Sequence, residues 1–151
     1  MPKKILIVDD EQLFLEGLSR ALYKFCDFQG KVKTVGNGKD AIKEISRCFY
    51  DICFLDINLP DLNGMEVMKK IKEMSPRTSI AIMTACVIDD GMKRTIKEDA
   101  SLFIDKPINL PKIRAFLKQV LIEGVKGERR QSERKALMKT LNYSIYIITP
   151  V

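Results

Sequence analysis

Ile5-Leu6-Ile7-Val8-Asp9-Asp10 is a four-residue apolar run closed by two acids, and its reading decides the fold. A run that short, bounded by polar residues, reads as a strand buried on both faces. The same form returns at Ile52-Cys53-Phe54-Leu55-Asp56, at Ile80-Ala81-Ile82-Met83-Thr84 and at Leu102-Phe103-Ile104-Asp105-Lys106-Pro107. In a parallel α/β sheet, ligands bind in the crevice at the carboxyl ends of the strands. Asp9, Asp10, Asp56, Thr84 and Lys106 are therefore expected to converge on one small site. Three carboxylates, a hydroxyl and an ammonium suit a Mg²⁺ ion and a phosphoryl group.

Helical periods separate the runs. Phe14, Leu18, Leu22 and Phe25 define one buried face between about Glu11 and Cys26. Lys31 to Val35 is a further short strand, closed by the turn cluster Gly36-Asn37-Gly38. A helix from Asp40 to Cys48 points Ala41, Ile42 and Ile45 inward. Asn63-Gly64 opens another, with Met65, Met68 and Ile71 on its inner face, and Ser75-Pro76 stops it. A more polar helix runs from about Asp89 to Lys97. The last carries Ile113, Phe116, Leu117, Val120 and Leu121, with Pro111 in its first turn. Strand and helix alternate five times over short connections. That pattern predicts a parallel sheet with helices on both faces, because parallel neighbours need right-handed crossovers.

The chain has 151 residues, 46% hydrophobic and 30% charged, the make-up of a globular domain with a sizeable core. No apolar stretch reaches the roughly 18 residues of a membrane span. The run after Met1-Pro2-Lys3-Lys4 is too short for a signal peptide, so a cytoplasmic protein is expected. The absence of histidine excludes any mechanism that uses an imidazole as base or nucleophile. Cys26, Cys48, Cys53 and Cys86 lack the paired spacing of a zinc site and read as small reduced core residues. Of the net charge of +6, residues 123–151 carry half, without the aromatic interleaving of a nucleic-acid-binding surface.

Asp9, Asp10 and Asp56 cannot crowd together unneutralised. Two such charges about 4 Å apart repel by roughly 4 kcal/mol at an effective dielectric near 20. A divalent cation relieves this, and oxygen-only ligands favour Mg²⁺ over a transition metal. Lys106 pairs with a carboxylate at rest and with a phosphoryl oxygen when one arrives. A carboxylate held there is a competent nucleophile toward phosphorus. Phosphoryl transfer asks little of a protein beyond positioning and charge neutralisation.

On these residues the chain resembles a response-regulator receiver domain of bacterial two-component signalling. The matching pieces are Asp9-Asp10, Asp56 with Asn58-Leu59-Pro60 and Asn63-Gly64-Met65, Thr84 with Ala85, and Lys106-Pro107. The resemblance covers about residues 3–122. It implies a flavodoxin-like fold with strand order 2-1-3-4-5. It also implies that Asp56 is the phosphoacceptor, and that Asp9, Asp10, Asp56 and the carbonyl of Asn58 hold Mg²⁺. Thr84 and Lys106 contact the phosphoryl oxygens, Lys106-Pro107 is a cis peptide, and Phe103 occupies the family's aromatic switch position. The donor is a histidine kinase or phosphotransfer protein, and an output domain or effector reads a surface at about residues 88–122. Such a receiver is no enzyme in the ordinary sense; its phosphotransfer and dephosphorylation are slow and self-catalysed. Asp99 stands where the family often has glycine, and aspartate tolerates a left-handed backbone. Cys86 falls where the family tunes dephosphorylation.

Two other readings are open. An Asp-nucleophile, Mg-dependent phosphatase of the haloacid-dehalogenase type shares the aspartate and lysine, but expects a DxD pattern where this chain has Asp9-Asp10-Glu11. In the tail, Arg130 and Arg134 stand in an RxxxR spacing that resembles the opening of a cyclic di-GMP-binding PilZ domain. The expected boundary falls at Gly124: a receiver over 1–123 and a basic C-terminal extension over 124–151. The extension is expected to hinge at Gly124 and Gly127. Its apolar stretch Tyr143–Ile148 is expected to pack on a second copy of the chain or in an output domain.

Overall fold

In the computed structural model, which describes residues 2–126, strands and helices alternate from one end to the other. They are β1 (Lys4–Val8), α1 (Gln12–Lys24), β2 (Lys31–Val35), α2 (Gly38–Arg47), β3 (Ile52–Asp56), α3 (Gly64–Met74), β4 (Ser79–Thr84), α4 (Asp90–Asp99), β5 (Leu102–Asp105) and α5 (Leu110–Lys126). The strands form one parallel sheet in the order β2-β1-β3-β4-β5, the flavodoxin-like arrangement expected. Every strand therefore delivers its carboxyl end to the same edge of the sheet. Gly124, expected as a hinge, does not end the helix: α5 runs through it to Lys126, and Gly127 lies outside the described residues. A glycine inside a helix costs about 1 kcal/mol relative to alanine, too little to end one without a proline or a cap. Arg130, Arg134 and Tyr143–Ile148 lie outside the described residues.

Alternate residues of each strand supply two separate apolar layers. Ile5, Ile7, Ile52, Phe54, Ala81, Met83, Leu102 and Ile104 face α1 and α5, where Leu15, Leu18, Leu22, Ile113, Phe116 and Leu117 meet them. Leu6, Val8, Cys53, Leu55, Ile80, Ile82 and Phe103 face α2, α3 and α4. Each such side chain contributes about 1.5–3 kcal/mol on burial. Across the first layer the Phe54 and Phe116 rings meet edge to face, with centroids 6.2 Å apart.

Several local expectations are corrected. Phe25 is 42% exposed rather than inward. Helix α1 ends at Lys24, the chain turns through Asp27 at φ 54°, and Phe28 takes the buried position instead. The Phe25 ring lies outside, 5.9 Å from the Arg114 guanidinium. Leu15 and Val67 are buried where Phe14 and Met65 were expected to lead. Asp99 needs no left-handed backbone, because α4 extends to it and Ala100 leaves in an extended conformation. Among the described residues, Asp27 alone of the non-glycines has a positive φ. Gly38 is the first residue of α2 rather than part of a turn, because Asn37 caps the helix by accepting from Asp40 N–H at 2.8 Å.

The cysteines are all free, but only Cys53 belongs fully to the core, and Cys86 is exposed. Burial pushes the Cys53 thiol from its ordinary 9.0 up to about 12. The folded protein thus keeps a proton that the unfolded chain releases above pH 9.0. The stability this site confers is complete below that value and is lost as pH rises toward about 12. The expected slope is about 1.4 kcal/mol per pH unit. Urea unfolding of the wild type should therefore weaken over that window relative to Cys53→Ala; parallel curves would remove Cys53 as the cause.

Candidate functional site

The crossing of β1 and β3 brings the acids together. Their register pairs Val8 with Leu55, so the next residues, Asp9 and Asp56, emerge side by side at the sheet edge. Asp9 is 0% exposed and Asp56 4%, while Asp10 faces solvent. Carboxylate oxygens of the three lie within 4.8 Å of one another. On the other side of β3, β4 ends at buried Thr84, whose carbonyl accepts from Lys106 N–H at 2.9 Å. That bond fixes the turn after β5, where the Lys106-Pro107 peptide is cis.

Lys106 reaches into the acid cluster. Its Nζ donates to Asp9 Oδ2 at 2.6 Å and to Asp56 Oδ2 at 3.4 Å, and stands 4.0 Å from Glu11 Oε1. The ammonium also sits 4.2 Å from the centre of the Phe14 ring, a cation–π contact. Backbone donors do the rest: Glu11 N–H to Asp9 Oδ1 at 2.9 Å and Asn58 N–H to Asp56 Oδ1 at 3.2 Å. Neither Phe14 nor Glu11 stands out in the sequence as a site residue. Phe14 reads there only as a member of a helix face, although it follows the acidic pair by one turn.

The charges do not balance. Burial raises the Asp56 carboxyl above its ordinary value, against the opposing pull of Asn58 N–H and the Lys106 ammonium, while Asp9 adds to the rise. For Lys106, burial pulls its pKa down, but the bond to Asp9 and the charges of Asp56 and Asp9 outweigh it, and the net shift is upward. One ammonium cannot serve three carboxylates, so the cluster is short of positive charge. A small divalent cation fits that deficit, and the donors are all oxygens, as Mg²⁺ requires.

Three further side chains complete the rim. Thr84 Oγ1 accepts from Cys86 N–H at 3.0 Å, and Asn58 Nδ2 donates to Cys86 Sγ at 3.0 Å, so Cys86 bridges the loops after β3 and β4. Phe103 is 3% exposed and lies in the layer facing α2, α3 and α4.

The chain matches the response regulator receiver domain family over residues 5–118. It is 30% identical over 118 residues to the transcriptional regulatory protein CiaR of Streptococcus pneumoniae, covering 78% of this chain and 51% of that one. It is 32% identical over 137 residues to a cyclic di-GMP phosphodiesterase of Thermotoga maritima, covering 91% and 36%. A CheY-like receiver domain protein from Methanospirillum hungatei superimposes with a TM-score of 0.74 at 25% identity, covering 83% of this chain and 98% of that one. The chain belongs to the response regulator receiver domain family, whose members are phosphoacceptors of two-component signalling. It spans about half or less of the length of these two curated relatives. The phosphatase reading gives way to this membership, and the cyclic di-GMP-binding reading of Arg130 and Arg134 gains no support from any match. Among the described residues, no helix is long and apolar enough to cross a membrane.

Proposed function

We propose that Asp56 is the phosphoacceptor of this receiver. One observation carries the reading: Asp56 is a nearly buried carboxylate at a strand end, with Asp9, Asp10 and the Lys106 ammonium gathered around it. In the reaction an Asp56 carboxylate oxygen attacks phosphorus of a phosphohistidine. The P–N bond breaks, an acyl phosphate forms, and the departing imidazole takes up a proton. Asp9, Asp10, Asp56 and the Asn58 carbonyl are the residues to hold Mg²⁺, which neutralises charge on the phosphoryl oxygens when bound. Lys106 exchanges its carboxylate partners for a phosphoryl oxygen, and Thr84 turns its hydroxyl to another. Turnover is slow and self-catalysed, and the donor is a histidine kinase or phosphotransfer protein in the cytoplasm. The test is incubation with a small acyl phosphate: one phosphate per chain is expected with Mg²⁺ and none when the metal is chelated.

The output is a change in the surface at about residues 88–122. Thr84 ends β4, the neighbour of the strand that carries Asp56, and Phe103 lies on the next strand, so both link the site to α4 and β5, with α5 packed on the other face of β5 through Leu102 and Ile104. A bound group shifts such an equilibrium only through contacts that differ between the two states, here the hydrogen bond from Thr84. Forming a beryllofluoride adduct should move amide resonances across 88–122; unchanged resonances there would remove the switch. The receiver unit, expected over 1–123, runs with α5 to Lys126, and the residues after it are the candidate link to an output segment or to a second copy of the chain.

A further inference from the structure

The loop that carries the Asn58 carbonyl, residues 57–63, is held from two sides. On the inside, Gly64 N–H donates to the Ile57 carbonyl at 2.9 Å, and Ile57 N–H to the Met83 carbonyl at 3.1 Å. A Cβ on Gly64 would come within 2.5 Å of Ile57 Cα, so this brace depends on a glycine. On the outside stands Asp61, an exposed residue that none of the site chemistry uses. Its Oδ1 accepts from Gly38 N–H at 2.8 Å and its Oδ2 from Lys39 N–H at 2.9 Å. Oδ1 also accepts from Leu62 N–H at 2.9 Å. Gly38 and Lys39 open α2, so the carboxylate answers both the free donors and the positive end of that helix. The approach is close: a Cβ on Gly38 would stand 3.1 Å from Leu62 Cβ.

The loop needs such a hold. Along its length it borders an open cavity of about 520 Å³, lined by Asp10, Asn58, Pro60, Asp61 and Met92, so packing does not fix the loop on that side. A metal ligand supplied by a backbone carbonyl has no side-chain torsion of its own to adjust; its place is set by where the loop is tied.

We propose that Asp61 is a positioning residue that clamps the loop to the first turn of α2 and so holds the Asn58 carbonyl at the metal site. This rests on the assignment of that carbonyl to Mg²⁺. The test is a Mg²⁺ titration of the full chain, without phosphodonor, followed by the amide resonances of Asp10 and Asn58. Asp61→Ala should raise the half-saturating Mg²⁺ concentration about tenfold, the effect of losing a group that supports a metal ligand. Asp61→Asn loses the same charge but keeps an acceptor oxygen, and should fall between. Asn37→Ala removes the cap internal to α2 and leaves the clamp in place, so its midpoint should stay within about twofold of the wild type while the first turn of α2 loses amide protection. Wild-type affinity in Asp61→Ala overturns the clamp. So does an Asp61→Asn midpoint equal to that of alanine, which reduces the effect to charge, or an equal loss in Asn37→Ala, which reduces it to a loosened helix. Failure of the phosphoacceptor assignment would look different: the wild-type chain would bind Mg²⁺ yet take up no phosphate.

Discussion

Asp56→Ala is expected to take up no phosphate from a small acyl phosphate and Mg²⁺, whereas the wild-type chain should gain one group per molecule by intact mass. The expected loss is complete because the nucleophile itself is removed and no neighbour is placed to replace it. Asp9 is committed to Lys106 at 2.6 Å and to Glu11 N–H, and Asp10, at the exposed rim of the acid cluster, is assigned to the metal. The variant should fold, since Asp56 is the last residue of β3, paired only with Met83 of β4, and alanine keeps that backbone pairing and leaves no charge behind. Alanine also removes a carboxylate that burial, and then Asp9, disfavour, so a small gain in urea resistance without Mg²⁺ is the expected companion result. Label incorporated at the wild-type rate would place the acceptor elsewhere.

Lys106→Met, measured by urea unfolding without Mg²⁺, is expected to lose about 3 kcal/mol of stability, the usual consequence of removing one partner from a buried ion pair. Methionine keeps much of the aliphatic stem but not the ammonium's contact with Phe14, so the loss reports the ion pair and that cation–π contact rather than packing. Asp9 then stays fully buried with a single backbone donor, and its charge must be carried without compensation or neutralised by a proton. Adding Mg²⁺ should restore part of the loss, because an ion that binds only the folded chain stabilises it in proportion to its occupancy. A loss under about 1 kcal/mol, the range of exposed pairs, would mean the pair is effectively solvated.

Much of this was legible in the sequence because a parallel sheet writes its site in a simple form. A strand buried on both faces must be apolar throughout, so the first polar residue marks where it leaves the sheet, as at Asp9, Asp56 and Thr84. The strand order came from family resemblance rather than from the runs themselves, which do not say which strand lies beside which. What escaped reading was settled by contacts between segments far apart in the chain. Periodicity gives the core position to Phe25, and the turn at Asp27 hands it to Phe28 instead. Asp61 looks like ordinary loop polarity until α2 arrives beside it, and Cys86 looks like another small core thiol until Asn58 crosses to it. Helix ends were misjudged where capping competes with composition, at Gly38 and Gly124.

The two apolar layers divide the labour of the molecule. Thr84 and Phe103 share the strand parity of the layer that faces α2, α3 and α4. The layer against α1 and α5 contains neither. A rearrangement that starts at Thr84 therefore repacks the α4 side of the sheet first and reaches α5 only through β5, like a hinge leaf moving against its frame. Natural variation should follow the same division. Substitutions such as Phe116→Leu on the α1 and α5 side would be tolerated until the fold itself fails. Changes of similar size at Ile82 or Ile96 would bias the signal while the protein remained folded.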